Sequence, residues 1–93
     1  MKYELALTGK FKKDLKLAKR RGLKTELLDE VVEKLQNGDV LDPKYHDHEL
    51  QGKYKGFREC HIMPDWLLVY MIENDILVLT LVATGTHSDL FKM

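Results

Sequence analysis

Cysteine is almost missing from this chain: Cys60 is the only one in 93 residues. No internal disulfide can form, which excludes a disulfide-built secreted scaffold and accords with a reducing compartment. Long hydrophobic runs are missing too. The longest, Trp66 to Ile72, has seven residues, against the roughly 20 a spanning helix needs, so no membrane partner is expected. The opening Met1-Lys2-Tyr3-Glu4 turns polar and charged again from Thr8 to Lys13. It therefore lacks the apolar stretch and small-residue cleavage site of a signal peptide, and the expected location is the cytoplasm. Repeats, linkers and low-complexity tracts are absent, and there are only two prolines. A chain this short buries only about 60–65% of its unfolded surface, so residues 1–93 are expected to form one domain.

Net charge is also absent, yet charge itself is plentiful and sorted along the chain. Between residues 10 and 24, Lys10, Lys12, Lys13, Lys16, Lys19, Arg20, Arg21 and Lys24 face Asp14 alone. From Thr25 to Leu50 the balance reverses, with Lys34 and Lys44 the only lysines among eight acidic residues. A dense basic segment can present a positive field to a polyanion although the whole molecule is neutral. On charge alone, a solvated helix face explains the same pattern.

Hydrophobic spacing divides the chain into elements. Tyr3, Leu5 and Leu7 alternate with Glu4 and Ala6, which predicts a half-buried strand. Thr8 then caps a helix whose Phe11, Leu15 and Ala18 share one stripe, and Gly22 ends it. A second helix begins near Thr25, carries Leu27, Leu28, Val31, Val32 and Leu35 on one side, and stops at Asn37-Gly38-Asp39. Val40 to Lys55 has no helical period and reads as a loop followed by extended chain. Three strands are predicted after it, at Phe57–Met63, Trp66–Glu73 and Ile76–Ala83, the last two joined by an Asn74-Asp75 turn. The order β-α-α-β-β-β predicts an α+β fold with an antiparallel sheet.

Four histidines, His46, His48, His61 and His87, fall in loops or near strand ends rather than on an apolar helical stripe. In an antiparallel sheet such ends can converge on one rim. Imidazoles that take and give a proton near neutrality, together with a carboxylate such as Asp65, suit acid–base catalysis. His46-x-His48 with His61 and Asp65 could instead ligate a metal, but no spacing here specifies such a site, so neither metal nor cofactor is expected. Cys60 reads as a small core residue rather than a nucleophile.

The strings His48-Glu49-Leu50-Gln51-Gly52, Lys55-Gly56-Phe57-Arg58-Glu59-Cys60-His61-Ile62-Met63-Pro64-Asp65-Trp66-Leu67-Leu68-Val69-Tyr70 and Thr84-Gly85-Thr86-His87-Ser88-Asp89-Leu90-Phe91 resemble the YafQ branch of the RelE/ParE toxin superfamily. The likeness extends over essentially the whole chain. It implies a toxin of a bacterial toxin–antitoxin pair that cleaves messenger RNA in the ribosomal A site without a metal. The implied partners are a cognate antitoxin, the ribosome with its ribosomal RNA, and messenger RNA, in the bacterial cytoplasm.

By that resemblance His87 is the general acid, while His48, His61 and Asp65 supply the base and tune the imidazoles. Trp66 and Phe91 would stack on a base or wall the site, with a core role equally open for Trp66, and Lys12, Lys13, Lys16, Lys19 and Arg20 would face ribosomal RNA. One departure stands out: the family pattern has arginine before the T-G-T-H turn, and this chain has Ala83. The missing planar fork of donors implies attenuated cutting. Either the copy is naturally weakened or uses another cation, such as Lys53, Lys55 or Arg58, or Ala83 is an introduced substitution. Other classes left open are a ParE-like gyrase inhibitor and a non-catalytic module that binds nucleic acid through its basic helix.

Overall fold

The computed structural model describes residues 1–91. The chain runs β1 (Glu4–Leu7), α1 (Gly9–Arg20), α2 (Thr25–Gln36), β2 (His48–Glu49), β3 (Arg58–Met63), β4 (Trp66–Glu73), β5 (Val78–Gly85) and α3 (His87–Phe91). Two 3-10 turns, Pro43–Tyr45 and Gly52–Tyr54, flank β2. Among the described residues no helix is long and apolar enough to cross a membrane.

Local chemistry sets the helix ends. The Thr8 hydroxyl accepts the Phe11 N–H at 3.0 Å and starts α1. After α1, Gly22 adopts φ 77°, so that its N–H reaches the Lys19 carbonyl and the Leu23 N–H reaches Ala18. Gly38 closes α2 in the same way, at φ 82°. These are paired C-terminal motifs that place an achiral residue in the left-handed conformation.

The five strands form one sheet in the order β1-β5-β4-β3-β2. The expected antiparallel sheet is in fact mixed, because β1 pairs with β5 in parallel. Alternation within a strand reports which side is buried; it carries no information about the direction of a partner far along the chain. Nor are Leu5 and Leu7 core residues as their alternation suggested. They remain 43% and 41% exposed, because β1 is an edge strand, while Tyr3 just before it is buried.

One face of the sheet carries the main core. Phe11, Ala18, Leu28, Val31 and Leu35 of the helices pack with Cys60, Ile62, Trp66, Leu68, Tyr70, Leu79 and Leu81 of the sheet. Each Val, Leu, Ile or Phe among them contributes about 1.5–3 kcal/mol on full burial. The opposite face carries the other set of the alternation, including Glu59, His61, Leu67 and Val69. A bulge decides where Ala83 goes. Tyr70 pairs with Leu81 but Val69 pairs with Ala83, leaving Val82 as the extra residue. Since cross-strand partners share a face, this insertion moves Ala83 off the helix-covered side and onto the Glu59 side.

Candidate functional site

Strand register assembles the site. His48, Glu59, Val69 and Ala83 are successive cross-strand partners from β2 to β5, one row across four strands. His61, Leu67 and Gly85 form the next row. With strands about 4.8 Å apart, side chains far apart in sequence are held on a common floor.

Glu59 lies on this floor and is only 5% exposed. Its Oε1 is 3.4 Å from His61 Nε2 and 3.6 Å from His48 Nε2. A carboxylate this deep needs polar partners, and the two imidazoles face it. The histidine rings form a chain with His61 at its centre: ring centroids lie 5.4 Å from His46, 6.5 Å from His48 and 5.6 Å from His87.

His87 is brought in by α3. Thr86 and Asp89 bond reciprocally, N–H to carboxylate and N–H to hydroxyl, both at 3.0 Å, in the manner of a capping box. Arg21 at the end of α1 grips the same Asp89 carboxylate through both terminal nitrogens, at 2.6 and 3.2 Å. The Arg21 guanidinium, helped by the Thr86 N–H, holds the Asp89 carboxyl well below the usual carboxylate range. Gly85 lets the strand turn so tightly into α3 that an added Cβ would meet Asp89 at 3.0 Å. Asp65, in the β3–β4 turn, then accepts both the His87 backbone N–H at 3.0 Å and its ring Nδ1 at 2.7 Å. These bonds, backbone first, lower the Asp65 pKa.

The sequence-derived residues separate clearly. His48, His61, His87 and Asp65 converge, and Ala83 lies in the His48–Glu59 row. Phe91 stacks edge-on against Tyr54 at 5.5 Å, and both border a cavity of about 130 Å³ beside Ala83, where Lys10 also reaches. Trp66 does not line the site. It is 2% exposed in the core, and its Nε1 donates to the Thr84 hydroxyl at 2.9 Å, so the expected stacking role is corrected: the ring would have to leave the core to meet a base. Arg58 belongs to the opposite set of the β3 alternation and bonds Asp47 at 3.2 Å. Asp47 is also held by the Tyr70 hydroxyl, so Arg58 is committed away from this floor. Lys53 and Lys55 are exposed around the second 3-10 turn, and Lys12, Lys13, Lys16, Lys19 and Arg20 are exposed along α1. Cys60 is buried in the core, and burial pushes its thiol up to about 12, which leaves no thiolate for nucleophilic work.

Glu59 has no role in the sequence reading; it is signalled only by standing two positions before His61, hence on its face. His46 is one of the four histidines of the sequence, and the resemblance gives it no role. The structure does contain a group able to hold a metal ion, and it differs from the His46, His48, His61 and Asp65 set: Glu59, His61 and His87 place one donor atom each within 4.8 Å of one another. One carboxylate and two imidazoles suit a borderline ion such as Zn²⁺ or Cu²⁺.

Comparison with known proteins gives the family and the fold. A family model described as the bacterial toxin of type II toxin–antitoxin systems, YafQ, matches residues 3–92. The mRNA interferase toxin YafQ of Escherichia coli K12 is 37% identical over 89 residues, 95% of each chain. A metal-bound toxin from Helicobacter pylori superposes with a TM-score of 0.90 at 46% identity, over 96% of this chain and 99% of that one. The toxin in the E. coli DinJ–YafQ toxin–antitoxin complex gives 0.88 at 36% identity, over 98% and 99%. Fold and relatives thus define a small α+β bacterial toxin of the type II class. The chain belongs to the YafQ family.

Proposed function

We propose that this chain is an mRNA interferase: a ribosome-dependent endoribonuclease, neutralised by a cognate antitoxin, that cuts messenger RNA by metal-independent acid–base catalysis. The observation that carries the reading is the convergence of His87, fastened to Asp65, with His61, His48 and buried Glu59 on one floor. The names of the relatives supply the substrate class.

The chemistry follows from those groups. The ribose 2′-hydroxyl loses its proton to a base drawn from His48 or His61, since Asp65 is committed to His87, and its oxygen bonds the adjacent phosphorus. The bond from phosphorus to the 5′-oxygen breaks, and His87 returns a proton to that leaving oxygen. The products are a 2′,3′-cyclic phosphate and a 5′-hydroxyl. Glu59 fits the role of holding His48 and His61 in place electrostatically. The phosphorane's extra negative charge needs a cation, and Ala83 provides none. Loss of one such donor costs about 10²–10³ in rate. The cavity beside Ala83 is walled by Tyr54, Phe57 and Phe91 and has room for part of an arginine side chain. The exposed α1 cations and Lys53 and Lys55 serve ribosomal and messenger RNA phosphates.

The test compares this protein with its Ala83→Arg variant in a purified translation reaction, mapping cuts by primer extension with and without ribosomes. Strong cutting by Ala83→Arg on ribosomes alone, with weak or no cutting by the parent, supports the reading. Absence of cutting by both overturns it and directs attention to binding through α1.

A further inference from the structure

A larger cavity, about 750 Å³, opens beside the histidine chain. Leu27 and Glu30 of α2 form one wall, Tyr45 and His46 another, and Met63 and Pro64 a third. His48 and His61 also line it, so it is continuous with the acid–base floor rather than a separate pocket. The mechanism above uses none of its walls beyond those two histidines.

Its make-up suits one kind of occupant. A nucleobase needs apolar or π surfaces for its faces, a hydrogen-bond partner for its edge and a cation for its phosphate. Leu27, Met63 and Pro64 are apolar, while Tyr45 and His46 present rings. The Glu30 carboxylate can only accept: an exocyclic amino group can donate to it freely, whereas the one N–H on uracil's pairing edge is flanked by two carbonyl oxygens that repel a carboxylate. The Lys44 ammonium lies 5.2 Å from the centre of the Tyr45 ring, at the same wall. The wall is also held in an uncommon shape. His46 sits in the left-handed region at φ 48°, ψ 41°, where a residue with a Cβ is strained. It is kept there by the preceding turn, in which the Asp42 carboxylate accepts the Lys44 N–H at 2.9 Å and the His46 N–H reaches Pro43. The His46 carbonyl in turn accepts from His48 Nδ1 at 2.7 Å. The strained turn that positions the His46 ring at the cavity therefore also orients a histidine of the floor.

We infer that this cavity receives the base of the nucleotide next to the scissile linkage, and that Glu30 favours bases bearing an exocyclic amino group over uracil. The inference rests on the RNA-cutting reading, since it places the substrate's neighbouring base relative to the same histidines. One hydrogen bond to a charged acceptor is worth about tenfold in affinity.

The test is a methyl NMR titration of this protein with single-stranded trinucleotides carrying 2′-O-methyl ribose, which cannot be cut, varied only in one base. The adenine and cytosine forms are expected to shift the Leu27, Ile62 and Met63 methyls and the His46 ring, and to bind about tenfold more tightly than the uracil form. Glu30→Gln, an exposed change that leaves the fold intact, should remove that preference. Leu27→Trp, which fills the cavity, should abolish the shifts. Binding that perturbs only the α1 lysines, binding with no base preference, or no binding by any trinucleotide overturns the inference. Ribosomal cutting by Ala83→Arg, followed in parallel, separates the two failures. Cutting without cavity shifts rejects the base pocket alone, and loss of both rejects the RNA reading as well.

Discussion

His87 and Asp65 are joined twice through a single oxygen: Asp65 Oδ1 accepts the His87 backbone N–H at 3.0 Å and meets its ring Nδ1 at 2.7 Å. A carboxylate accepts only, so the ring proton on Nδ1 is fixed and the ring cannot turn freely. On the proposed mechanism Asp65 is a positioning residue whose own side chain stays in water. Asp65→Asn in the Ala83→Arg background is expected to leave the fold unchanged and lower cutting by about 10- to 100-fold. Its pH–rate profile should lose the acid-side dependence on the carboxylate. Because the Asp65 pKa is lowered in the folded protein, the interaction is present above the ordinary carboxylate range and disappears as pH falls through the folded value. An unchanged profile would assign Asp65 no part in tuning His87.

The Arg21–Asp89 contact makes a related prediction for α3. Asp89 is held below the usual carboxylate range, so it fastens α3 at neutral pH and releases it only in acid, below the range where an unfolded aspartate titrates. Amide protection over residues 86–90, taken relative to the intrinsic exchange rate at each pH, should be high at pH 7, fall as pH drops below about 4, and be low at both values in Asp89→Asn. Equal protection in the variant would mean that α3 is held by Phe91 packing alone.

Trp66 offers a clean separation of core from substrate roles. Trp66→Phe removes the Nε1 bond to Thr84, whose hydroxyl still donates to the Leu67 carbonyl at 2.6 Å. The expected cost is about 1 kcal/mol, a fall in Tm of about 4–8 °C for a domain of this size. Cutting by the Ala83→Arg form should not change. A large rise in KM without a change in Tm would show that the indole reaches substrate after all.

How much of this was legible in the sequence varies from residue to residue. Phe11, Ala18, Leu28, Val31 and Leu35 declared the helical hairpin by their spacing, and Gly22 and Gly38 declared its ends. The α3 helix escaped because five residues are too few to show a period, and its strength comes from Arg21 and Thr86 rather than from apolar spacing. Glu59 escaped because a charged residue in a strand normally marks the solvent side, whereas here two imidazoles make its burial tolerable. The placement of Ala83 depends on the Val82 bulge, and simple alternation would have put it among Leu79 and Leu81.

On the proposed mechanism, a metal ion held by the Glu59–His61–His87 group would compete with catalysis. A bound ion would occupy the imidazole lone pairs that the proton transfers require. Micromolar Zn²⁺ or Cu²⁺ should therefore inhibit the Ala83→Arg enzyme, and a chelator should restore full cutting. Glu59→Gln should weaken the inhibition by about 10-fold or more. Loss of activity on chelation would reverse the assignment and make the metal part of the reaction.

The central claim is that His87 protonates the leaving 5′-oxygen, and the most direct measurement bypasses that step. A ribosome-bound messenger RNA carrying sulfur in place of the 5′-oxygen at the cut site needs no general acid, because a thiolate leaves unaided. Ala83→Arg and Ala83→Arg with His87→Ala are compared on the oxygen and sulfur substrates. The expected result is a loss of about 10²–10⁴ from His87→Ala on oxygen and almost none on sulfur. The same loss on both substrates would contradict the assignment of His87 as the acid.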